Sequence, residues 1–276
     1  METPRISASS YSNTAPLIWS FLYGSQHGRV EIILDNAPAR SAELLSQARV
    51  DAALVPVIAY HHLADVRLIP GVCVAAKEKV RSVALITPGK DLRDVRSVSL
   101  DTSSRTSVVL TKIIFREFLG LEPEWRDTPP DLDAMLDASD CALLIGDPAL
   151  QISDLGLRIA DSNPKSKIQN LKSFDLAQLW NHYTGLGFIF AMWMTRSETS
   201  PVDFAAARDE GLSRIDEIVS NYLPDIKISD DDFRNYLLQN VSYTIDDDLQ
   251  RGMELYFELA KKNRLCENIR ELIYTR

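Results

Sequence analysis

The sequence predicts an α/β protein of two lobes, and three observations carry this prediction. The first half of the chain alternates short apolar runs with amphipathic stretches, the pattern of βα units on a mainly parallel sheet. From Ser200 strand-like runs stop and three amphipathic segments follow in succession. Two more strand-like runs, at residues 79–87 and 187–195, begin and end a second α/β set. A chain that leaves one lobe, builds a second and returns is typical of a hinged protein that binds a ligand between its lobes.

The predicted elements follow from the spacing of apolar residues. Within residues 106–119, Val109, Ile113 and Phe118 recur near helical spacing with charged residues between them, so one face packs and the other meets water. In chain order, the predicted strands are residues 5–8, 30–34, 52–56, 81–87, 95–100 and 141–145, and the predicted helices between them are residues 16–23, 41–48, 106–119 and 132–137.

The two crossings divide the chain into lobes. We expect a first lobe of residues 1–86 and 193–276, which includes the C-terminal helices, and a second lobe of residues 87–192. A single doubly wound sheet with a helical extension is the alternative.

The acidic runs of the tail are interpreted as helix starts rather than metal sites. Ser229 precedes three aspartates, and Thr244 precedes three more at residues 246–248. A capping hydroxyl followed by acids in the first turn is favourable at a helix N-terminus. The sequence therefore predicts two helices that begin at these hydroxyls.

The composition is that of an ordinary globular protein, since 45% of the 276 residues are hydrophobic and 25% are charged. A net charge of −9 gives no general attraction for nucleic acid or anionic lipid. The longest apolar stretch, residues 187–194, is far shorter than the roughly 20 residues of a membrane span, and the first residues lack the basic and apolar regions of an export signal. We expect a soluble cytoplasmic protein without nucleic-acid or membrane partners, and leave open whether it is a homo-oligomer.

The cysteines and known motifs predict neither a metal nor a cofactor. Cys73, Cys141 and Cys266 are odd in number and far apart, which favours reduced core thiols over disulfides or a zinc site. The chain contains no zinc motif, no GxSxG nucleophile elbow and no GxGxxG dinucleotide motif.

The first segment that can carry chemistry is SYSNTAPL at residues 10–17, which follows the first strand and begins a helix. Ligands of open α/β sheets bind at the carboxyl ends of strands, where such turns offer polar side chains and backbone N–H groups. We therefore select Tyr11, Asn13 and Thr14 as candidate ligand contacts. The alternative is a simple helix cap by Asn13 or Thr14, which leaves Tyr11 and Ser12 unexplained.

The second segment is LDTSSRTS at residues 100–107, again a strand end that leads into a helix. Five hydroxyl residues and one arginine at a helix N-terminus favour a carboxylate or phosphate site, with helix capping alone as the alternative. The candidates here are Ser103, Ser104, Arg105 and Thr106.

The third segment is LLIGDPAL at residues 143–150, in which a buried strand ends in a glycine and an acid. Gly146 permits close approach of the backbone to a ligand. Asp147 either lines the cleft or caps the next turn, and both interpretations stay open.

These motifs together resemble one family. SYSNTAPL at 10–17, ALVP at 53–56, VRSV at 80–83, SLDTSSRTS at 99–107, ALLIGDPAL at 142–150 and GLGFIFAMW at 185–193 are similar, in order and spacing, to the chorismate dehydratase family of the futalosine route to menaquinone. The resemblance covers most of residues 5–195, and the tail matches only in helical texture. Ser12 stands where a bulkier apolar residue is usual, and Gly187 where a proline is common.

The resemblance implies a type II periplasmic-binding-protein-like fold, two α/β lobes joined by two hinge strands with a helical C-terminal tail. The implied reaction removes water from chorismate, a dianion, to give 3-[(1-carboxyvinyl)oxy]benzoate without a cofactor. Carried over by motif, Asn13 and Ser82 contact the reacting centre, and Ser103, Ser104 and Thr106 hold a carboxylate. The motifs contain no evident general base, so we expect the enolpyruvyl carboxylate of the substrate to take the proton.

Two other functions stay in view. One is the paralogous 1,4-dihydroxy-6-naphthoate synthase of the same pathway. The other is a non-catalytic cytosolic protein that binds a small anion between its lobes.

Overall fold

The computed structural model describes residues 3–158 and 171–276. In chain order its strands and α-helices are β1 (Arg5–Ser9), α1 (Ala15–Leu22), β2 (Glu31–Asp35), α2 (Pro38–Ser46), β3 (Ala52–Pro56), β4 (Arg67–Ala76), β5 (Val83–Pro88), β6 (Ser97–Asp101), α3 (Arg105–Ile113), β7 (Glu124–Thr128), α4 (Leu132–Ala138), β8 (Cys141–Ile145), α5 (Gly146–Arg158), β9 (Leu171–Asp175), α6 (Leu176–Thr184), β10 (Phe188–Thr195), α7 (Phe204–Leu212), α8 (Ile215–Tyr222), α9 (Asp230–Asn235) and α10 (Asp247–Lys262).

The described strands form two five-stranded sheets, one in each lobe. The first has the order β2-β1-β3-β10-β4 and the second the order β7-β6-β8-β5-β9. In each sheet four strands run in the same direction, and the fifth, β10 or β5, lies between two of them and pairs antiparallel with both. The predicted two-lobed α/β architecture is confirmed, and the alternative of a single doubly wound sheet is wrong.

The central strands were the easiest to predict because they are buried on both faces. Every residue of β3 and of β8 is buried, and both read as continuous apolar runs. The structure places them over the predicted residues.

The strands that sequence patterns missed all lie at sheet edges. β4, β7 and β9 are each the outermost strand of their sheet. Edge strands carry polar residues and strand breakers that interior strands exclude. Pro70 and Gly71 interrupt β4, and β7 reads EWRDT, so neither shows the alternation that marks a half-buried strand.

The chain changes sheet between Ala76 and Val83 and returns between Asp175 and Phe188. The strand-like runs predicted at the crossings are therefore β5 of the second sheet and β10 of the first. The division into lobes after residues 86 and 192 stays a prediction.

The helical tail differs from its prediction in two details. The described tail holds four α-helices, α7 to α10, rather than three. Ser229 caps α9 as predicted, because its Oγ accepts from the backbone N–H of Asp232 at 3.2 Å. The predicted cap Thr244 is wrong, since Asp246 caps α10 by accepting from the Leu249 N–H at 3.0 Å. A cap must lie two or three residues before the N–H that it accepts, and Thr244 lies too early.

The first crossing is fastened on both sides. Arg81 has a φ of 64°, in the left-handed region that non-glycine residues rarely adopt. Its guanidinium binds both carboxylate oxygens of Asp232 in α9, at 2.8 and 2.6 Å. The backbone N–H groups of Val80 and Arg81 donate to the buried carboxylate of Asp175. These contacts compensate the backbone strain and connect the crossing to the tail.

No helix in these two described stretches has both the length and the apolar character required to cross a membrane.

Candidate functional site

A cleft of about 530 Å³ lies between the lobes and opens to solvent. Apolar side chains from both lobes, among them Leu54, Val74, Val83 and Phe190, form part of its wall. A flat unsaturated ring can pack against this wall while polar groups meet its substituents.

Four helices begin at the wall of this cleft. Thr14 precedes α1, Pro38 is the first residue of α2, Ser104 is the N-cap of α3, and Gly146 is the first residue of α5. Each helix N-terminus carries roughly half of a positive elementary charge. The convergence of four helix N-termini favours an anionic ligand. The described lining contains no lysine or arginine, so the positive potential there comes from the helices.

Tyr11, Asn13 and Thr14 all line the cleft, as the sequence predicts. The Thr14 hydroxyl donates to the carbonyl of Ser9 at 2.7 Å and to that of Tyr11 at 2.8 Å, which fixes the turn. Tyr11 and Thr14 occupy the N-cap positions of the short 3₁₀ turn and of α1, and neither side chain makes a capping bond. Asn13 occupies neither position, so the interpretation of Asn13 as a helix cap is wrong.

Ser12 and Asp147 connect the lobes beside the cleft. The Asp147 carboxylate accepts from the Ser12 backbone N–H at 3.2 Å and from the Ser12 hydroxyl at 2.5 Å. Burial raises the pKa of Asp147, and the hydrogen bonds from Ser12 act in the opposite direction. Asp147 is absent from the described cleft lining. Its carboxylate is thus engaged by the Ser12 loop of the other lobe.

Gly146 lines the cleft and lies against Tyr11 across the lobe interface. Its φ is 69°, and a Cβ atom there would lie 2.7 Å from Cε1 of the Tyr11 ring. Both the backbone conformation and the close contact require glycine.

We expect Gly146→Ala to lower stability and to weaken ligand binding, because the new methyl group displaces the Tyr11 ring. Gly185→Ala is the matched control: Gly185 has a φ of 71°, but a Cβ there meets nothing within 4 Å. The left-handed conformation alone costs about 1–2 kcal/mol in each variant. Thermal denaturation and ligand titration should show a larger loss for Gly146→Ala in both quantities. Equal losses would mean that the contact with Tyr11 is unimportant.

Some residues of the second predicted segment, LDTSSRTS at residues 100–107, line the cleft and others do not. Ser104 lines the cleft, and its Oγ accepts from the backbone N–H of Ser107 at 3.3 Å. Ser107, which the sequence analysis did not select, lines the cleft as well, and its Oγ lies 2.9 Å from that of Ser104. The position of Ser107 in the helix could have predicted this, because Ser107 follows Ser104 by about one turn and lies on the same helix face.

Ser103, Arg105 and Thr106 are outside the described lining. Ser103 donates its hydroxyl and its backbone N–H to Asp101 at 2.6 and 3.0 Å. Thr106 is fully buried, and its Oγ1 accepts from the Ile58 N–H at 3.3 Å across the lobes. Arg105 is exposed. Burial is the main cause of the lowered pKa of His62, and the positive charge of Arg105 lowers that pKa further.

The Tyr11 hydroxyl is a neutral donor. Burial and then the Asp101 charge raise its pKa to about 12, with a hydrogen bond to Ser103 acting in the opposite direction. Tyr11 therefore stays protonated at neutral pH.

Ser82 lies in the hinge beside the cleft, between the lining residues Val80 and Val83. Its carbonyl accepts from the Gly146 N–H at 2.7 Å, and its hydroxyl is fully buried. A residue that the sequence analysis missed, Tyr236, adjoins it from the helical tail. Burial raises the pKa of Tyr236 well above the usual value. Among the described residues, neither the Tyr236 hydroxyl nor the Ser82 hydroxyl has a hydrogen-bond partner.

Comparison with known proteins relates this geometry to a family. A family model described as menaquinone biosynthesis matches residues 4–262. The chorismate dehydratase of Thermus thermophilus is 30% identical to this chain over 259 residues, which are 90% of this chain and 92% of that protein.

Similarity to solved structures concerns the fold. A protein from Archaeoglobus fulgidus has a TM-score of 0.69 at 16% identity, with 95% of this chain and 97% of that chain covered. The periplasmic aliphatic sulphonate binding protein of Escherichia coli has a TM-score of 0.64 at 14% identity, with 100% of this chain and 94% of that chain covered. The predicted periplasmic-binding-protein-like fold is confirmed.

Proposed function

Since this chain belongs to the menaquinone biosynthesis family, we propose that it eliminates water from chorismate to give 3-[(1-carboxyvinyl)oxy]benzoate. The observation that carries the proposal is the interlobe cleft, in which an apolar wall and hydroxyl and amide side chains meet four helix N-termini. Such a site is suited to a flat dianion. The proposal includes a cytoplasmic location, where a biosynthetic enzyme meets a soluble metabolite.

The first step removes the proton from the ring carbon that bears the enolpyruvyl ether. That carbon is vinylogous to the ring carboxylate, so the electron pair left behind passes through the ring double bond to the carboxylate oxygens. Fixed donors aimed at those oxygens stabilise the charge that develops there, as in an oxyanion hole. We assign this task to Ser104 and Ser107, which line the cleft, and to the N-terminus of α3.

The second step expels the neighbouring ring hydroxyl. The electron pair returns from the carboxylate and forms the double bond that completes the aromatic ring, and the hydroxyl leaves as water after taking one proton. Asn13 can donate its amide N–H to an oxygen that gains charge or departs. Chorismate loses one water in total, and no oxidant or reductant is needed.

The base is the substrate's own enolpyruvyl carboxylate in this proposal. The described lining contains no histidine, lysine, aspartate or glutamate. Tyr11, with a pKa of about 12, is too weak an acid to be ionised at neutral pH and to act as a base. An intramolecular carboxylate lies near the proton whenever the substrate is bound, and it can pass that proton to the departing hydroxyl.

Ultraviolet absorbance of purified protein with chorismate distinguishes the proposed functions, because the dehydratase makes an aromatic product. Calorimetric binding of chorismate with no spectral change would instead favour the small-anion binding protein, which the sulphonate-binding neighbour's fold keeps in view. If the protein neither binds nor converts chorismate, that result would favour another substrate, such as that of the naphthoate synthase.

A further inference from the structure

Helix α5 contacts both lobes, although its neighbours in the chain belong to the second. Gly146, Asp147, Leu150 and Gln151 recur at helical spacing near its N-terminus, so they share one face, and this face meets the first lobe. Ala149 lies on the opposite side, in an apolar cluster of the second lobe. α5 therefore lies between the two lobes, beside the cleft that Gly146 lines.

Two residues of this face dock the helix outside the described cleft lining. Leu150 is fully buried and belongs to the apolar cluster around α1 and α8 of the first lobe. Gln151 Nε2 donates to the backbone carbonyl of Asp225, which follows α8, at 3.2 Å. Apolar packing and a hydrogen bond thus both tie α5 to the first lobe.

The polar contact of Asp147 with Ser12 reaches the turn that carries Asn13. The Asp147 carboxylate accepts from the Ser12 N–H and the Ser12 hydroxyl, and Ser12 directly precedes Asn13 in the 3₁₀ turn Ser12–Thr14. Ser12 is fully buried, so water does not compete for these donors. Hydrogen bonds to an ionised acceptor are stronger than those between neutral groups. Because donor and acceptor belong to different lobes, the bonds form only when the lobes are closed.

We propose that this face of α5, formed by Gly146, Asp147, Leu150 and Gln151, is a closing latch in which Asp147 acts as a positioning residue through Ser12. The kinetic consequence of the inference rests on the proposed function. Contacts made only in the closed form favour that form over the open one, and they tighten the binding of a ligand enclosed in the cleft by the same factor. The closing latch therefore sets the affinity, whereas Asn13 sets the barrier.

Asp147→Ala removes the acceptor for both Ser12 donors. We expect KM for chorismate to rise about tenfold with kcat within about twofold of its original value, because the closed form becomes less favourable while the bound, closed complex reacts as before. A merely structural role predicts a different pattern, with a lower melting temperature and a smaller active fraction but an unchanged KM. A KM that is unchanged or lower in Asp147→Ala overturns the inference.

A pair of the same chemistry within one lobe supplies the control. Glu210 in α7 accepts from the Ser25 backbone N–H at 2.8 Å and from the Ser25 hydroxyl at 2.7 Å, the same two donors that Ser12 offers to Asp147. Both residues belong to the first lobe, so closure does not change their contact. Glu210→Ala should keep the original KM. An equal rise in KM in both variants would mean that the loss of any such carboxylate has this effect, which contradicts the closing latch.

A double-mutant cycle tests whether Asp147 acts through Ser12. Ser12→Ala should raise KM less than Asp147→Ala does, because the backbone N–H still donates to the carboxylate. The double variant should bind chorismate no more weakly than Asp147→Ala alone, since the Ser12 hydroxyl has then already lost its acceptor. Multiplicative losses would show that the two residues act independently and would overturn the assignment.

Hydrogen exchange of the Ser12 backbone amide separates the closing latch from the proposed function. In ¹⁵N-labelled protein without ligand, this amide should exchange about tenfold faster in Asp147→Ala and at the original rate in Glu210→Ala. The Thr14 N–H, which donates to the Tyr11 carbonyl at 2.9 Å, is the internal reference. If the protein leaves chorismate unchanged, the proposed function fails and the exchange rate alone decides: faster exchange of Ser12 supports the closing latch, and an unchanged rate overturns it.

Discussion

Asn13→Ala is expected to lower kcat for chorismate dehydration by about 10²–10³-fold and to change KM little, the usual effect of removing one preorganised donor. Asn13 lines the cleft and takes neither N-cap position at the start of α1. Its loss should therefore affect the barrier and not the stability. Steady-state kinetics and thermal denaturation measure the two effects separately.

Asn13→Asp extends the same test. Aspartate removes the N–H donor and adds a negative charge beside a dianion, so we expect it to be at least as damaging as alanine. Ser10→Ala is the matched control, because Ser10 is in the same loop but its hydroxyl donates to Asn36 Oδ1 at 2.5 Å. An active but less stable Asn13→Asp protein would show that Asn13 serves only the fold.

Ser104→Ala combined with Ser107→Ala should weaken the binding of aromatic dicarboxylates by about 1–3 kcal/mol, the usual cost of losing hydrogen bonds to a charged group. Both side chains line the cleft at the start of α3. Calorimetry with isophthalate or with the product avoids turnover. Because Ser104 also caps α3, Ser107→Ala alone separates the two roles: it leaves the cap and should still weaken binding.

The family resemblance predicts this carboxylate contact at Ser103 and Thr106 as well, and a second double variant tests that prediction. In the structure the Ser103 hydroxyl donates a hydrogen bond to Asp101, and Thr106 Oγ1 accepts one from the Ile58 N–H. We expect Ser103→Ala with Thr106→Val to weaken binding less than the Ser104 and Ser107 pair does. The reverse order would return the anion contact to Ser103 and Thr106.

The sequence predicts best what depends on local burial. β3 and β8 are apolar along their whole length because both of their faces are covered, so their limits can be read directly. The edge strand β7 has one open side and admits charged residues, so its pattern resembles a loop.

The composition of the site was predictable only where one segment supplies it. Asn13 and Thr14 stand in a polar turn after a strand, and general rules for α/β proteins select that turn. Ser12 with Asp147, and Tyr236 with Ser82, are pairs far apart in the chain that only the closure of the lobes and the packing of the tail bring together. Nothing in the local pattern around Tyr236 distinguishes it from an ordinary core tyrosine.

The most direct test of the account is the fate of chorismate incubated with the purified protein, followed by proton NMR in the presence of a chelator. The account predicts that the ring protons of a benzoate substituted at position 3 appear while the enolpyruvyl methylene protons are retained. This conversion should be faster than the decay of chorismate without protein, and far slower with the Asn13→Ala variant. Chorismate that decays at the same rate with and without folded protein, or a product that has lost its enolpyruvyl group, would contradict it.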